Sequence, residues 1–334
     1  MELNVHLSHN DSKIHIEKGI LEHVNEVLDF HGKVMIITDS GVPEIYQQIL
    51  KSQFSNGYVT IIPQGESSKS LEMYEMICKR LLENNFSRKD MIIALGGGVV
   101  GDLSGYVAAT FKRGMRFSSV PTTTLSMIDS SIGGKVAVNL GKVKNILGTF
   151  YHPEHVFIDI NTLKTLSIRH YNNGLVEAIK VGLIADEHLF ECFEADQLNI
   201  EKIIYRSLDI KRNVVEQDEK EQNLRKILNF GHTIGHAIES LTQLHDYYHG
   251  ECVAMGMLKV IDDEQIRERL VKILQHFNIP LEVKLDIDEM MNLIQKDKKA
   301  NGDEVTLVLL EGLGRARLVD VKIEIVRNYC ERSL

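Results

Sequence analysis

The stretch Met91-Ile92-Ile93-Ala94-Leu95-Gly96-Gly97-Gly98-Val99-Val100-Gly101-Asp102 decides the fold of the first half of the chain. Its apolar residues predict a short buried strand, and the glycines that follow predict a tight turn into a helix. Glycine at such a turn lets the backbone approach a phosphate, and the free amides of the helix favour an anion. The run lacks the usual G-x-G-x-x-G spacing, so by itself it fits a tight structural turn as well as a phosphate site.

Strand-like and helix-like patterns alternate on both sides of this run. Short apolar stretches begin at Val34, Val59 and Met91, and turn residues or a helix-like segment follow each of them. Ahead of them, apolar and polar residues alternate over 5–16, which predicts an opening hairpin. Strands that alternate with helices predict a mainly parallel sheet with helices on its faces. We therefore predict an α/β first domain over residues 1–160.

The pattern changes after about residue 160. Four segments show helical periodicity, namely 173–195, 199–217, 228–244 and 262–277. Few segments of this half have a strand-like pattern before Val305, where an apolar run favours a strand. We predict a mainly helical second domain over residues 161–334.

Composition excludes several classes of protein. The 334 residues are 43% hydrophobic and 25% charged, which is ordinary for a globular protein with a substantial core. The formal charge is -9 and no run of lysine or arginine stands out, so we expect no nucleic-acid partner. We expect no membrane segment, because no apolar stretch approaches the roughly 18 residues required. We also expect no signal peptide, because the residues from Met1 to His6 have neither a basic leader nor an apolar region. The scattered cysteines fit reduced thiols, which predicts a cytoplasmic protein.

Histidines in the second half indicate a metal site. His232 and His236 are four residues apart in a helical pattern, so both project from one face. This spacing nominates them jointly as metal ligands, with Glu177 or Glu239 as the carboxylate. The alternative is that the two histidines form a hydrogen-bonded pair in the core. For an isolated pair of histidines four residues apart, this alternative is favoured. The glycines beside the histidines permit close approach of a backbone or a ligand, which favours the metal site.

Basic residues suggest an anionic substrate. Lys135 and Lys144 lie among small and polar residues after the glycine run, and Lys211, Arg225 and Asn229 precede the histidine pair. A single lysine is most often a solvated surface charge. Several cations that converge on one cleft would bind a substrate with phosphate and carboxylate groups. A nucleotide site followed by a metal site indicates redox chemistry on a small polar molecule.

Seven stretches together resemble the 3-dehydroquinate synthase family. They are PQGESSK at 63–69, GGGVVGDLSGYVAATFKRG at 96–114, PTTTLSMIDSSIGGKVAVN at 121–139, KNILG at 144–148, GLVEAIK at 174–180, LRKILNFGHTIGHAIE at 224–239 and HGE at 249–251. The resemblance runs nearly from end to end, and the combination is highly specific. It implies a Rossmann-like N-terminal domain and a helical metal-binding C-terminal domain, usually in a homodimer, with NAD and a divalent metal (zinc or cobalt).

The resemblance also implies roles for individual residues. It makes Glu177, His232 and His249 the metal ligands, and it changes His236 from a ligand into a residue that faces the substrate. The implied NAD contacts are Asp39, Gln64, Gly65, Glu66, Ser67, Ser68, Lys69, Gly98, Val99, Val100, Gly101, Asp102, Thr122, Thr123, Lys135, Lys144, Thr162, Leu163, Lys164 and Thr165. The implied catalytic and substrate-binding residues are Asp129, Lys135, Asn145, Lys180, Lys211, Arg225, Asn229 and His236, with Lys298 or Lys299. Arg113 resembles the family arginine that reaches into the site of the neighbouring subunit.

The activity that the resemblance implies belongs to the shikimate pathway of aromatic amino acid biosynthesis. The family converts 3-deoxy-D-arabino-heptulosonate 7-phosphate to 3-dehydroquinate and phosphate. Transient oxidation by NAD, elimination of phosphate, reduction and an aldol ring closure follow one another, so NAD is regenerated. The alternatives are another sugar phosphate cyclase, a metal-dependent polyol dehydrogenase, or a catalytically silent scaffold that binds NAD and metal.

The chain departs from the family pattern at a few positions. The segment between Met257 and Ile266 is shorter than in typical members. Ser167 replaces a usual proline, His170 stands where an acidic residue is common, and Thr124 stands where an aliphatic residue is usual. None of these changes removes an implied ligand, but the shortened segment bears on helix packing and dimer geometry.

Overall fold

The chain divides into two compact units. The computed structural model describes residues 1–8, 11–141, 143–242, 246–298 and 304–332. By contacts within the chain, the first unit comprises 1–167 with 211–219, and the second comprises 168–210 with 220–334. The domain boundary at 160 remains a prediction, and no sequence pattern indicated that 211–219 would belong with the first unit.

A mainly parallel sheet forms the centre of the first unit. The described strands of this unit are β1 (Glu2–Val5), β2 (Ser12–Ile16), β3 (Val34–Asp39), β4 (Gly57–Ile62), β5 (Met91–Gly96), β6 (Arg116–Pro121), β7 (Lys135–Leu140), β8 (Val143–Phe150) and β9 (His155–Ile158). In one sheet their order is β1-β2-β9-β6-β5-β3-β4, and β7 pairs with β8 in a separate antiparallel hairpin. Strand β1 is antiparallel to β2, and the other pairs in the large sheet are parallel.

Helices cover both faces of this sheet. They are α1 (Val24–Leu28), α2 (Glu44–Ser52), α3 (Leu71–Glu83) and α4 (Gly98–Thr110). Met35 and Ile37 of β3 share a buried cluster with residues of α3 and α4, whereas Val34 and Ile36 share another with residues of α1 and α2. Since successive side chains of a strand point to opposite faces, a strand buried on both faces is a continuous apolar run. This explains why β3 and β5 were predicted correctly from their sequences.

The second unit is mainly helical. Its elements are α5 (Ile168–Ala185), α6 (Glu187–Glu191), the first part of α7 (Ile200–Gln217), α8 (His232–Leu241), α9 (His249–Val260), α10 (Glu264–His276), α11 (Ile287–Lys298), the antiparallel strands β10 (Glu304–Gly312) and β11 (Arg315–Lys322), and α12 (Ile323–Glu331). Residues 261–263 alone connect α9 to α10. No helix in the described ranges has both the length and the apolar character needed to cross a membrane.

Close backbone contact joins α8 to α9. A Cβ atom on Gly235 would lie 3.0 Å from the carbonyl oxygen of Cys252, and one on Gly256 would lie 2.1 Å from that of Gly231. Larger side chains would therefore force the two helices apart. The glycines noted in the sequence thus permit close approach of a backbone, and the first residues of α8 and α9 can come together.

The predicted fold class is confirmed, and three local predictions need correction. The segment 173–195 is not one helix, because α5 ends at Ala185 and α6 begins at Glu187, with Asp186 as the N-cap of α6. The opening hairpin, the strands at 34, 59 and 91 and the helix after the glycine run are present. The segment 228–244 is not one helix, because a 3-10 helix at Leu224–Asn229 precedes α8. Gly231, with φ 76°, separates the two, and this left-handed conformation interrupts a helix. The hairpin of β7 and β8 was also not predicted, because the lysines and small residues of this stretch indicated a binding site rather than strands.

We expect Gly105→Ala to destabilise the protein by about 1–3 kcal/mol, because it overpacks the contact between α4 and β7. A Cβ atom at this position would lie 2.4 Å from Cγ1 of Val136, a stiff and buried side chain. Gly101→Ala in the same helix is the matched control, since its Cβ would meet no heavy atom within 4 Å. Alanine favours a helix over glycine by about 1 kcal/mol, so this control should keep or gain stability. Thermal unfolding without cofactor measures both, and equal melting temperatures would contradict the packing described.

Candidate functional site

In the first unit, the predicted cofactor residues follow the carboxyl ends of parallel strands. Asp39 ends β3, 64–69 follows β4, 98–102 follows β5, 122–123 follows β6, and 162–165 follows β9. Parallel strands present their carboxyl ends at one edge of a sheet, and ligands of open α/β sheets bind outside that edge. The structure therefore brings these five segments to the same edge.

The strand order marks one point of this edge as a crevice. From β3 the chain passes to β4 on one side and then to β5 on the other, so the direction of winding reverses between β3 and β5. A reversal of this kind is where open α/β sheets bind their ligands. The glycine run begins α4 at this point, with Gly97 as its N-cap. A Cβ atom on Gly97 would lie 3.1 Å from Cγ2 of Thr123, so this glycine also allows the turns after β5 and β6 to meet.

Two ion pairs connect further predicted residues within the first unit. The buried ammonium group of Lys69 donates to the carboxylate of Asp102 and to the side-chain oxygen of Asn145. Lys211 donates to Asp129, at 2.6 Å from Oδ1 and 2.8 Å from the backbone oxygen. The sequence nominated these residues separately, and the structure brings them into contact.

Arg113 is exposed and held in a rarely populated backbone conformation. It has φ 66° and follows Lys112 with φ 49°, both in the left-handed region. Residues other than glycine adopt this backbone conformation at a cost of about 1–3 kcal/mol, and residues strained in this way cluster at functional sites. The conformation presents the guanidinium group at the surface of the first unit.

In the second unit, the three implied metal ligands meet. Glu177 lies in α5 and is 1% exposed, while His232 and His249 are the first residues of α8 and α9. Oε1 of Glu177 lies 3.8 Å from Nε2 of His232 and 3.5 Å from Nε2 of His249. Zinc ligands at about 2 Å from the ion lie about 3.3 Å apart in a tetrahedral site, so this spacing suits a shared cation.

Hydrogen bonds on the far side of each ring orient both imidazoles. Nδ1 of His232 lies 3.0 Å from the backbone oxygen of Phe230, and Nδ1 of His249 lies 3.2 Å from Oε2 of Glu239. Because these oxygens only accept, each Nδ1 donates. Each Nε2 is then the nitrogen that faces Glu177 and can take a proton or a metal ion.

One oxygen of the Glu177 carboxylate accepts a hydrogen bond, and the other has no hydrogen-bond donor among the described residues. Oε2 accepts from the ammonium group of Lys180, which is itself buried. Oε1 is buried and has no hydrogen-bond partner among the described residues. Burial raises the pKa of Glu177, but the Lys180 charge and the two imidazoles outweigh it and hold that pKa well below its usual range. An ionised, buried oxygen without a donor is the feature that a bound cation would satisfy.

The two imidazoles differ in charge. Burial, with the nearby Lys180 charge, lowers the pKa of His232 to about 3, so this ring is neutral. Burial also opposes a charge on His249, but the carboxylates of Glu177 and Glu239 raise its pKa to about 10. The site therefore favours one positive charge at Nε2 of His249, and a metal ion there would replace the proton.

His236 belongs to an adjoining group. His236, Glu239 and His249 also place potential ligand atoms within 4.8 Å of one another. The rings of His232 and His236 lie 5.2 Å apart, so they share one face of α8 as their spacing predicted. His249 is common to both groups, and the i,i+4 spacing of the sequence could not identify it.

Other polar residues of the second unit were predicted in part. Arg225 is buried, and Asn229 donates to Oε1 of Glu221 at 2.8 Å. Glu221 was missed, because no spacing or motif distinguishes it from the surface carboxylates around it. Of the two lysines proposed near the end of α11, Lys299 lies outside the described residues, and the side chain of Lys298 is not among those described.

Comparison with known proteins identifies the family. The model for "3-dehydroquinate synthase N-terminal" matches residues 59–173, and that for "3-dehydroquinate synthase C-terminal" matches 174–300. A 3-dehydroquinate synthase of Thermoanaerobacter pseudethanolicus is 41% identical over 347 residues, which covers 96% of this chain and 97% of the relative. One of Clostridium beijerinckii is 40% identical over 345 residues, which covers 97% and 99%.

A solved structure shares the fold over almost the whole chain. It is 2-deoxy-scyllo-inosose synthase complexed with carbaglucose-6-phosphate, NAD+ and Co2+, with a TM-score of 0.86, 25% identity and 98% of each chain covered. Both family models match consecutive segments, and the relatives align over nearly their full length. This chain belongs to the 3-dehydroquinate synthase family.

Proposed function

We propose that the protein converts 3-deoxy-D-arabino-heptulosonate 7-phosphate to 3-dehydroquinate and inorganic phosphate. The observation that carries the proposal is the buried Oε1 of Glu177, which has no hydrogen-bond partner among the described residues and lies between two imidazole nitrogens. One carboxylate and two imidazoles form a typical ligand set of a catalytic zinc site with an open position. The family membership of both halves of the chain supports the substrate.

The cofactors of the proposed reaction are NAD and zinc or cobalt. When bound, NAD accepts and returns a hydride, and the metal polarises the hydroxyl group that is oxidised. Glycines at the start of α4 and the reversal of winding between β3 and β5 support a dinucleotide at the carboxyl edge of the sheet. Glu177, His232 and His249 would hold the metal.

Basic side chains of the protein bind the anionic substrate and neutralise its charge. Lys180, Lys211 and Arg225 are buried, and a fixed ammonium or guanidinium group stabilises phosphate, carboxylate and enolate charge without reorganisation. Asp129 holds Lys211 in one orientation, and Glu221 holds the amide of Asn229. These residues position the substrate and its developing charge, and the substrate's own phosphate group leaves as the product.

The test is an assay with the heptulosonate phosphate, NAD and zinc. We expect one inorganic phosphate per 3-dehydroquinate and no net change in absorbance at 340 nm, because the hydride returns to the substrate. Accumulation of NADH would instead indicate a dehydrogenase. Cofactor binding without any product would indicate a silent scaffold, and either result would overturn the proposal.

We expect Lys180→Ala to lower turnover by about 10²–10³-fold while it still binds zinc, because it removes a preorganised charge and leaves the three metal ligands in place. The measurements are kcat in the same assay and zinc content after dialysis. Lys259→Ala, in α9 but outside the proposed site, is the matched lysine control. A Lys180→Ala variant with full activity would remove this residue from the proposed catalytic set.

We expect Glu239→Gln to weaken zinc binding by about 10–100-fold, because the carboxylate that orients Nδ1 of His249 becomes neutral. Competition with a chromogenic chelator measures the dissociation constant without any turnover. Glu268→Gln makes the same charge change on the exposed side of α10 and should bind zinc like the wild type. Equal affinities of the two variants would show that Glu239 does not support the ligand.

We propose a homodimer that uses the hairpin of β7 and β8. Val143 and Ile146 on β8 are each 56% exposed, and exposed apolar edge strands tend to be covered by another chain. Sedimentation velocity should show a dimer for the wild type and a monomer for Val143→Lys. Leu82→Lys, at a 58% exposed position on α3, should remain dimeric. A monomeric wild type would refute this part of the proposal.

We propose that the protein acts in the cytoplasm. Its four cysteines are free thiols, as is usual in a reducing compartment. Cell fractionation with an antibody against the chain tests this, and recovery from an extracytoplasmic fraction would contradict it.

A further inference from the structure

Asn139 lies at an irregularity where β7 and β8 lose their regular pairing. Val138 pairs with Leu147, but Leu140 pairs with Val143, so residues 144–146 of β8 face Asn139 alone. A bulge of this kind re-aims side chains and is common beside active sites. The bulged residues include Lys144 and Asn145, the proposed cofactor and substrate contacts.

The backbone of Asn145 needs support in this bulge. Its φ is 56°, in the left-handed region, which asparagine tolerates better than other non-glycine residues but still at a cost. The amide of Asn145 donates to Oδ1 of Asn139 at 2.9 Å. This bond holds the strained residue in one place.

Two further hydrogen bonds tie Asn139 to the segment after β4. Its backbone amide donates to the oxygen of Lys69 at 2.8 Å, and its Nδ2 donates to Oε1 of Glu66 at 2.8 Å. Lys69 in turn donates to the side-chain oxygen of Asn145. Asn139 therefore joins the segment 66–69, a proposed NAD contact, to Asn145, a proposed substrate contact.

We propose that Asn139 is a positioning residue that couples the cofactor segment 66–69 to the substrate contact Asn145. The inference rests on the proposed function for the identity of the ligands. Displacement of either segment would be transmitted to the other through the two side-chain bonds of Asn139. The affinity for NAD and the Michaelis constant for the heptulosonate phosphate should therefore change together when these bonds are lost.

The test is a pair swap that breaks and rebuilds one bond. Asn139→Asp replaces the donor to Glu66 with an acceptor and sets two carboxylates against each other. In the double variant Asn139→Asp/Glu66→Gln, the new amide donates to the new carboxylate, whose second oxygen still accepts from Asn145. We expect Asn139→Asp alone to raise both constants by about fivefold or more. The double variant should return both constants to within about twofold of those of Glu66→Gln alone, the reference for any direct effect of position 66 on NAD binding.

The measurements separate coupling from loss of folding. NAD dissociation constants come from binding without substrate, Michaelis constants from phosphate release, and melting temperatures from thermal unfolding. If Asn139→Asp proves too unstable, Asn139→Ala removes both side-chain bonds without adding charge and should shift both constants together. Unchanged constants, a change in one ligand alone, or a change that the swap does not reverse would overturn the inference. If the wild type makes no 3-dehydroquinate, the proposed function fails, and the NAD constants still decide whether Asn139 supports the cofactor segment.

Discussion

A buried carboxylate must have its charge balanced, and in the second unit the burial of Glu177 imposes that requirement. Removing an ionised carboxylate from water costs several kcal/mol when no partner compensates it. Lys180, one turn further along α5, balances one oxygen. The other oxygen faces His232 and His249, the first residues of α8 and α9. The positions of three helices are therefore tied to one side chain.

Glycine makes this arrangement sterically possible. The beginnings of α8 and α9 can approach because Gly235 and Gly256 lack side chains where backbone oxygens lie close. In the first unit, Gly105 plays the same part where α4 meets β7, the strand that carries Asn139. Each glycine thus allows two backbones to approach, and this determines where polar residues at the ends of helices and strands can meet. The distances between the polar groups of each site therefore depend on how closely the backbones pack.

The two units differ in how well their polar residues could be predicted. In the first unit, the glycine run and Asp102 follow a recognisable strand end, whereas the family resemblance supplied the other cofactor contacts. Parallel strands bring the cofactor residues that follow them to one edge, because their carboxyl ends lie on the same side of the sheet. In the second unit, the spacing of His232 and His236 correctly indicated one face of α8, but it could not choose between carboxylates. Glu177 and His249 were supplied by the family resemblance. Glu221 and Asn139 had no signal, because each is defined only by hydrogen bonds to distant residues.

The sequence by itself determined the fold class and the central strands β3, β4 and β5. Continuous apolar runs require strands buried on both faces, and the glycine turn after β5 requires a helix to begin there, because burial and backbone freedom are local properties. Only the tertiary structure decided which groups face each other. Whether Nε2 of His249 lies near Glu177, or Asn139 near Glu66, depends on distances between residues far apart in the chain. Those distances follow from how helices and strands pack, which no local pattern encodes.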